Sequence, residues 1–357
     1  MARNLRTVHP DFDTNLFCER TVTELDLLEL KQRAQLIADS LHQHLPKDYE
    51  EAIAVLIALM KIPLDTSDQL GRYSEFYFLP VAEYIHAYGK NHFEQSMRAN
   101  YELTKVFTAE FSVRVFIEQY PEKSLGLLKK WARDPNHHVR RLVSEGTRTR
   151  LPWAGRLRIF QENPAPVIEL LEMLKSDPDL YVRRSVANNL NDIAKDNPGL
   201  VIDTLTRWQS SNNRDSNTDW IIKHASRTLI KNGYSEALKL QGFDPNAEIA
   251  LHNLKLTKTL RFGEKLNFDF TLKNDDDADH NLVVDFVVYF KKANGALAPK
   301  VFKLRELKLK AGEEVHISKS HPIKPITTRK YYNGKQALAI QVNGKEYEKE
   351  SFAINGV

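Results

Sequence analysis

Asp134-Pro-Asn-His-His-Val-Arg-Arg-Leu-Val-Ser144 and Asp177-Pro-Asp-Leu-Tyr-Val-Arg-Arg-Ser-Val-Ala187 repeat one pattern at an offset of 43 residues. Leu127, Leu128 and Trp131 precede the first copy as Leu170, Leu171 and Leu174 precede the second. A weaker third copy, Trp220-Ile-Ile-Lys-His-Ala225, places Ile222 40 residues after Val182. Periods of about 40–47 residues built from helix pairs indicate HEAT-like units. One pair cannot bury its apolar face alone, so pairs stack into a solenoid.

Outward from this repeat, residues 1–242 read as helices. Thr23, with Asp26 three residues later, resembles a capping box opening a helix through Leu28, Leu30, Ala34 and Ile37. Pro46 opens the next. Further helices are expected near 80–88, 91–105, 108–119, 122–133, 137–149, 165–175, 180–195, 198–209 and 217–232. Prolines 121, 135, 164, 178 and 198 fall between them, as helix breakers do. Trp131 and Trp208 read as core.

From about residue 248 the period changes from helical to two. Leu266-Asn-Phe-Asp-Phe-Thr-Leu272 alternates, residues 283–290 form an apolar strand-length run, and Asn343-Gly344 is a two-residue hairpin turn. About seven strands point to an immunoglobulin-like sandwich. The expected architecture is multidomain: an all-α HEAT-like solenoid over 1–244, then an all-β immunoglobulin-like sandwich over 245–357, joined through Gly242-Phe-Asp-Pro245.

No run of 18 apolar residues suggests a membrane span, and no signal-peptide core follows Met1. A monomer in the cytoplasm is expected, without membrane partners. Cys18, the single cysteine, forms no internal disulfide. Residues 245–357 carry 19 Lys+Arg against 14 Asp+Glu, leaving 32 against 33 in 1–244. Any anion site in the helical part must therefore arise from local clustering.

Such a cluster is visible. Arg140, Arg141, Arg183, Arg184 and Lys223 recur at repeat-equivalent positions, and Arg148 and Arg150 extend them. A stacked solenoid turns these into a row suited to a nucleic-acid backbone. Within-repeat capping and salt bridging is an equal alternative for arginines beside Asp-Pro turns. Glu145 lies one turn past Arg141, and Asp192 lies one turn past Asn188, which follows Arg184. Glu110 opens an earlier helix. Ordinary ion pairing is the blander reading of these acids. Trp153, in a Pro-bounded loop, and Trp220 are each a hydrophobic plug or a ligand-contacting aromatic. His137-His138 and His42-Gln-His44 lack companion ligands, and phosphate-loop motifs are absent. The acidic run 275–279 lacks an EF-hand pattern and reads as a solvated loop. No metal or cofactor is expected.

The string Val139-Arg-Arg-Leu-Val-Ser-Glu145-Gly-Thr-Arg148-Thr-Arg150-Leu-Pro-Trp153 resembles the AlkC branch of the AlkD/AlkC HEAT-like alkylpurine DNA glycosylases. So do Tyr181 to Ile193, Thr218-Asp-Trp220-Ile-Ile-Lys-His224 and Phe107-Thr-Ala-Glu110-Phe. Ala298-Pro-Lys-Val-Phe302 and Thr327-Thr-Arg329 resemble that branch's immunoglobulin-like tail. The resemblance implies excision of cationic alkylated bases from double-stranded DNA, chiefly 3-methyladenine and in this branch 3-methylcytosine, without deep-pocket base flipping. It places catalytic carboxylates at Asp192, Glu145 and Glu110, with Trp153 beside the lesion; Trp220 is expected as a second lesion contact. His224 and Arg227 in the third copy are further expected DNA contacts, and Arg329 and Lys330 in the tail sit among interleaved basic and aromatic residues compatible with gripping DNA, with a solvated β-edge protected by lysines an equal alternative.

A base alkylated at N3 carries positive charge and leaves neutral, so no strong general acid is needed. The sugar becomes oxocarbenium-like and requires nearby negative charge and an oriented water. Asp192 is assigned to that water, with Glu145 and Glu110 stabilising charge. No lysine is needed as a Schiff-base nucleophile, so the expected enzyme is monofunctional and nucleoid-associated when bound. The competing class is a non-catalytic HEAT-like DNA-binding protein or protein scaffold.

Overall fold

At both Asp-Pro turns the same atoms make the same bonds. Asp134 Oδ1 accepts from the Asn136 amide at 2.8 Å, and Asp177 Oδ1 from the Asp179 amide at 2.9 Å. Asn136 then caps its helix by accepting from the His138 amide, and Asp179 from the Tyr181 amide, each at 2.8 Å. Arg140 Nη1 folds back to the carbonyls of Asp134 and Pro135, and Arg183 Nη1 to those of Asp177 and Pro178. The repeat read in the sequence is thus a repeat of hydrogen bonds.

This computed structural model describes residues 1–64 and 76–357 and divides into two compact units, Met1–Ala225 and Ser226–Val357. Unit 1 contains α1 (Ala2–Val8), α2 (Thr14–Leu25), α3 (Leu30–His44), α4 (Tyr49–Met60), α5 (Leu79–Tyr88), α6 (Phe93–Val106) and α7 (Val113–Gln119). It continues with α8 (Pro121–Trp131), α9 (His137–Gly146), α10 (Arg158–Glu162), α11 (Ala165–Leu174), α12 (Leu180–Ile193), α13 (Pro198–Gln209) and α14 (Ser216–Ala225). Helices α8 and α9, α11 and α12, and α13 and α14 pack as successive pairs in chain order, and α12 packs against both α9 and α14. On these helices Leu128, Val139, Leu142, Leu170, Val182, Val186, Leu190 and Ile221 are buried, as are Trp131 and Trp208.

The N-terminal boundaries differ from expectation. Thr23 does not open a helix: its hydroxyl donates to the Glu19 carbonyl inside α2. The next helix starts at Leu30, where Glu29 and Gln32 form the capping box. Pro46 also precedes the true start, for Asp48 caps α4 by accepting from the Glu51 amide at 3.0 Å. Residues 108–112 stay outside α7, because Thr108 bonds locally to the amide and carboxylate of Glu110. The stretch 217–232 is two helices, α14 and α15 (Arg227–Lys231).

Unit 2 begins with α15 and α16 (Ser235–Leu240), then β1 (Ile249–Leu256), β2 (Thr259–Arg261), β3 (Lys265–Asn274), β4 (His280–Lys291), β5 (Leu297–Leu309), β6 (Glu314–Pro322), β7 (Gly334–Val342), β8 (Lys345–Glu346) and β9 (Glu350–Asn355). One sheet has the order β1-β3-β6, the other β2-β9-β7-β4-β5 with β8 on β7. Only β2–β9 is a parallel pairing among these. Phe268 and Phe270 of β3 share a core with Phe286 and Val288 of β4 and with Leu338 and Ile340 of β7. Strand β4 is apolar on both faces because Val283 also packs under Leu238 and Phe243. Phe243 therefore makes the expected linker a packed segment. The Asn343-Gly344 turn has the two left-handed residues of a tight hairpin, φ 44° and 79°. Asn343 accepts from the Val283 amide and donates to the Asp244 carbonyl, and a Cβ on Gly344 would lie 2.6 Å from Gly233 Cα.

Asp285 of β4 is buried, with Oδ1 lacking a hydrogen-bond partner among the described residues. Burial pushes its pKa up to about 6, against the pull of Lys231 and Lys303. The folded state keeps a proton that the unfolded chain releases above about pH 4. The contribution to stability is thus full below about pH 4 and lost as pH rises through about 6. Asp285→Asn should remove this fall and stabilise unit 2 at pH 7.5 by roughly 1–3 kcal/mol. Urea unfolding at pH 4.5 and 7.5 measures it; equal pH dependence in both proteins rejects the assignment.

Candidate active site

The second arginine of each Val-Arg-Arg points away from its turn. Arg141 Nη1 lies 2.9 Å from Glu110 Oε2, and Nη2 lies 3.6 Å from Glu145 Oε1. Its guanidinium also sits 4.7 Å from the centre of the Tyr181 ring. Glu145 is buried and accepts from Arg148 Nη1 and from the Ser185 hydroxyl, each at 2.6 Å. Arg148 Nε and Nη2 both lie 2.8 Å from Asp192 Oδ2, while Lys195 Nζ donates to Asp192 Oδ1 at 2.8 Å. The result is an alternating series: Glu110, Arg141, Glu145, Arg148, Asp192, Lys195. Buried carboxylates require such partners. Burial alone would lower the Arg148 pKa, but Glu145 and Asp192 together hold it above the ordinary value.

Glu110, Arg141 and Glu145 of this series line a cavity of about 450 Å³, and Arg148, Asp192 and Lys195 do not. Glu110, Arg141, Glu145, Tyr181 and Trp153 form its polar and aromatic side; Leu30, Phe76, Phe107 and Phe111 form an apolar side. Glu110 Oε2 is taken by Thr108 and Arg141, and Oε1 accepts no hydrogen bond among the described residues. Asp192 does not line the cavity. It lies behind Arg148, with three donors on its oxygens.

Trp153 is 74% exposed and has φ 64°. It is therefore no hydrophobic plug. Trp220 is elsewhere: its ring stacks on His224 at 3.6 Å, with the Arg183 guanidinium 5.9 Å away, and it does not line the cavity. Arg140 grips Asp177 with Nε at 2.6 Å and Nη2 at 3.1 Å, tying one repeat to the next. Arg150 pairs with Asp196. Arg184 is exposed and makes no ion pair among the described residues, and Lys223 is exposed on α14. Arg227 belongs to unit 2. There Arg329 covers Phe290 at 4.0 Å and Lys330 lies 5.9 Å from the Tyr332 ring, while Tyr331 is buried in the sandwich core.

Two residues escaped sequence reasoning. Arg114, buried in α7, donates to the carbonyls of Gly146, Arg148 and Gly155 at 3.0, 2.8 and 2.6 Å. Burial pushes its pKa down to about 10. Lys31 of α3 donates to the Trp153 carbonyl. Their partners lie more than 30 residues away in the chain, and no local pattern marks them.

Residues 99–229 match the family described as "DNA alkylation repair enzyme", and residues 250–356 match the one described as "Uncharacterised protein YhaZ, C-terminal Ig-like domain". The chain is 36% identical over 99% of its length to the uncharacterized protein YhaZ of Bacillus subtilis, covering 96% of that protein. It is 37% identical to the Pseudomonas fluorescens alkylpurine DNA glycosylase AlkC, whose structure was solved bound to DNA containing an abasic site analog. That superposition covers 99% of this chain and 96% of the other, with a TM-score of 0.90. The fold is that of a HEAT-like DNA-repair glycosylase. The chain belongs to the AlkC branch of the alkylpurine DNA glycosylases, with its immunoglobulin-like C-terminal domain.

The two arginine positions of the repeat should behave oppositely, the first tested at Arg140 and the second at Arg184. Arg140→Ala leaves Asp177 buried without its partner and should cost about 2–4 kcal/mol in stability. Arg184→Ala should change stability by no more than about 0.5 kcal/mol. Thermal and urea unfolding of both variants decide it; equal losses would contradict the division.

Proposed function

We propose that this protein is a monofunctional, monomeric DNA glycosylase that hydrolyses the N-glycosidic bond of cationic alkylated bases in double-stranded DNA. 3-Methyladenine is the principal substrate and 3-methylcytosine a second. Residues 1–244 act as the glycosylase domain and 245–357 as the immunoglobulin-like domain. The observation that carries this reading is the convergence of Glu110, Glu145 and the exposed Trp153 on one cavity beside arginines.

The chemistry follows from charge. The base enters positive and leaves neutral, because the electron pair of the C1′–N bond flows into its ring. C1′ becomes electron-poor, and a water adds there after losing its proton to a carboxylate. Two unit charges about 4 Å apart, near a protein surface, interact by about 4 kcal/mol. That favours a cationic base over a neutral one of the same shape, and the Trp153 face adds cation–π attraction of roughly 0.5–2 kcal/mol. In the free protein Arg141 occupies both acids. A cationic lesion competes for them, leaving Arg141 available to a flanking phosphate.

We reassign the water. Glu145 and Glu110 border the cavity, whereas Asp192 stands behind Arg148. Glu145 and Glu110 then stabilise the sugar and hold the water, and Asp192 orients Arg148. The exposed Trp153 acts from the cavity rim, in keeping with excision that does not swallow the base. Arg141 and Arg184 are the phosphate contacts that the repeat geometry favours, with Lys223 next along the row. Arg140 and Arg183 serve the turns.

Single-turnover release of free base from methylated duplex DNA tests this. Glu145→Gln should lose at least about a hundredfold in rate. Asp192→Asn should lose less, and Arg184→Ala should keep the rate while lowering the salt-dependence slope of DNA binding by about 0.9. An active Glu145→Gln enzyme, or an Asp192→Asn variant more impaired than it, sinks the reassignment. No base release by the wild type would favour a DNA-binding scaffold.

A further inference from the structure

Trp153 combines two features that a chain does not adopt without help. Its backbone is left-handed, at φ 64°, which a bulky side chain disfavours, and the residue is 74% exposed, so packing does not compensate. The help comes from two cations on other helices. Arg114 reaches the carbonyls of Gly146 and Arg148 on one side of the loop and of Gly155 on the other. Lys31 takes the carbonyl of Trp153 itself, and its ammonium lies 4.9 Å from the Phe111 ring, three residues before Arg114. The two cations therefore hold both ends of the loop and its strained centre.

We propose that Lys31 and Arg114 are positioning residues that hold Trp153 ready in the cavity, so that no ordering of the loop is needed when a lesion arrives. The inference rests on the glycosylase reading of the cavity. Lys31 also lines the cavity, whereas Arg114 does not, and both are assigned to act through Trp153. Arg114 also holds the carbonyl of Arg148, so one buried guanidinium sets both the aromatic wall and the cation between Glu145 and Asp192. An unheld loop would sample other conformations, and misplacement by about 1 Å can cost as much as a hundredfold in rate.

The test is a double-mutant cycle on the full-length protein. Lys31→Met should slow single-turnover base release from methylated DNA by about tenfold to a hundredfold. Its affinity for DNA carrying an abasic-site analogue should change by less than about threefold, the loss of one peripheral contact at most. In a Trp153→Ala background, Lys31→Met should have no further effect, and Lys31→Arg should restore the wild-type rate. Arg114→Lys should show the same dependence on Trp153 if circular dichroism shows it folded. The Trp153 fluorescence component, obtained by difference from Trp153→Phe, should depolarise faster in Lys31→Met. Equal rate losses in both backgrounds would mean that Lys31 acts on DNA directly, and the proposal fails. It fails equally if rate and depolarisation are both unchanged. If the wild type releases no base, the functional reading falls, while the depolarisation measurement still decides the clamp.

Discussion

A carboxylate removed from water must find a cation or take up a proton, and Glu145 and Asp192 find the same one. Arg148 lies 2.6 Å from the first and 2.8 Å from the second. Its two partners more than offset its own burial. Around this link the series alternates in sign from Glu110 to Lys195, so that each of its three acids has a cation beside it. This is how a helical region with 32 basic and 33 acidic residues concentrates charge locally without bulk charge. Hydrogen bonds and ion pairs from Arg141, Arg148, Ser185 and Lys195 hold these acids in fixed positions.

The repeat supplies this arrangement through adjacent residues with opposite duties. In each Val-Arg-Arg, valine enters the core between helices, the first arginine closes the Asp-Pro turn, and the second leaves it. Arg140 also clasps Asp177 of the next turn, whereas Arg183 has Trp220 near its guanidinium instead of a carboxylate. Arg141 turns toward Glu110 and Glu145, and Arg184 toward solvent. A solenoid repeats its architecture at each step but need not repeat its chemistry.

The periodicity of helix pairs, the change to alternating strands and the Asn343-Gly344 turn were legible because each is set by neighbours in the chain. The pairing of Arg141 with Glu145 was legible for the same reason. The two meanings of paired arginines were not, because spacing places both on one helix but does not say which one bends back to the turn. Thr23 misled because a Ser/Thr hydroxyl bonds a carbonyl four residues back as readily as it caps. Glu110 was read as opening a helix, since Thr108 could bond it locally and delay α7 only once Phe107 had ended α6. The position of Asp192 behind Arg148 and the bracing of Trp153 by Arg114 and Lys31 depend on contacts between distant helices. Trp153 carried no sequence mark of its left-handed backbone, since such conformations usually fall to glycine or asparagine.

The central claim is that the cavity's carboxylates read positive charge at the lesion. DNA carrying a pyrrolidine abasic analogue, cationic at neutral pH, tests this against DNA carrying the neutral, isosteric tetrahydrofuran analogue. The account predicts at least about tenfold tighter binding of the cationic site, a preference well within the few kcal/mol of one close charge pair. That preference should vanish in Glu145→Gln while affinity for the neutral site persists. Equal affinities for the two analogues in the wild-type protein would contradict it.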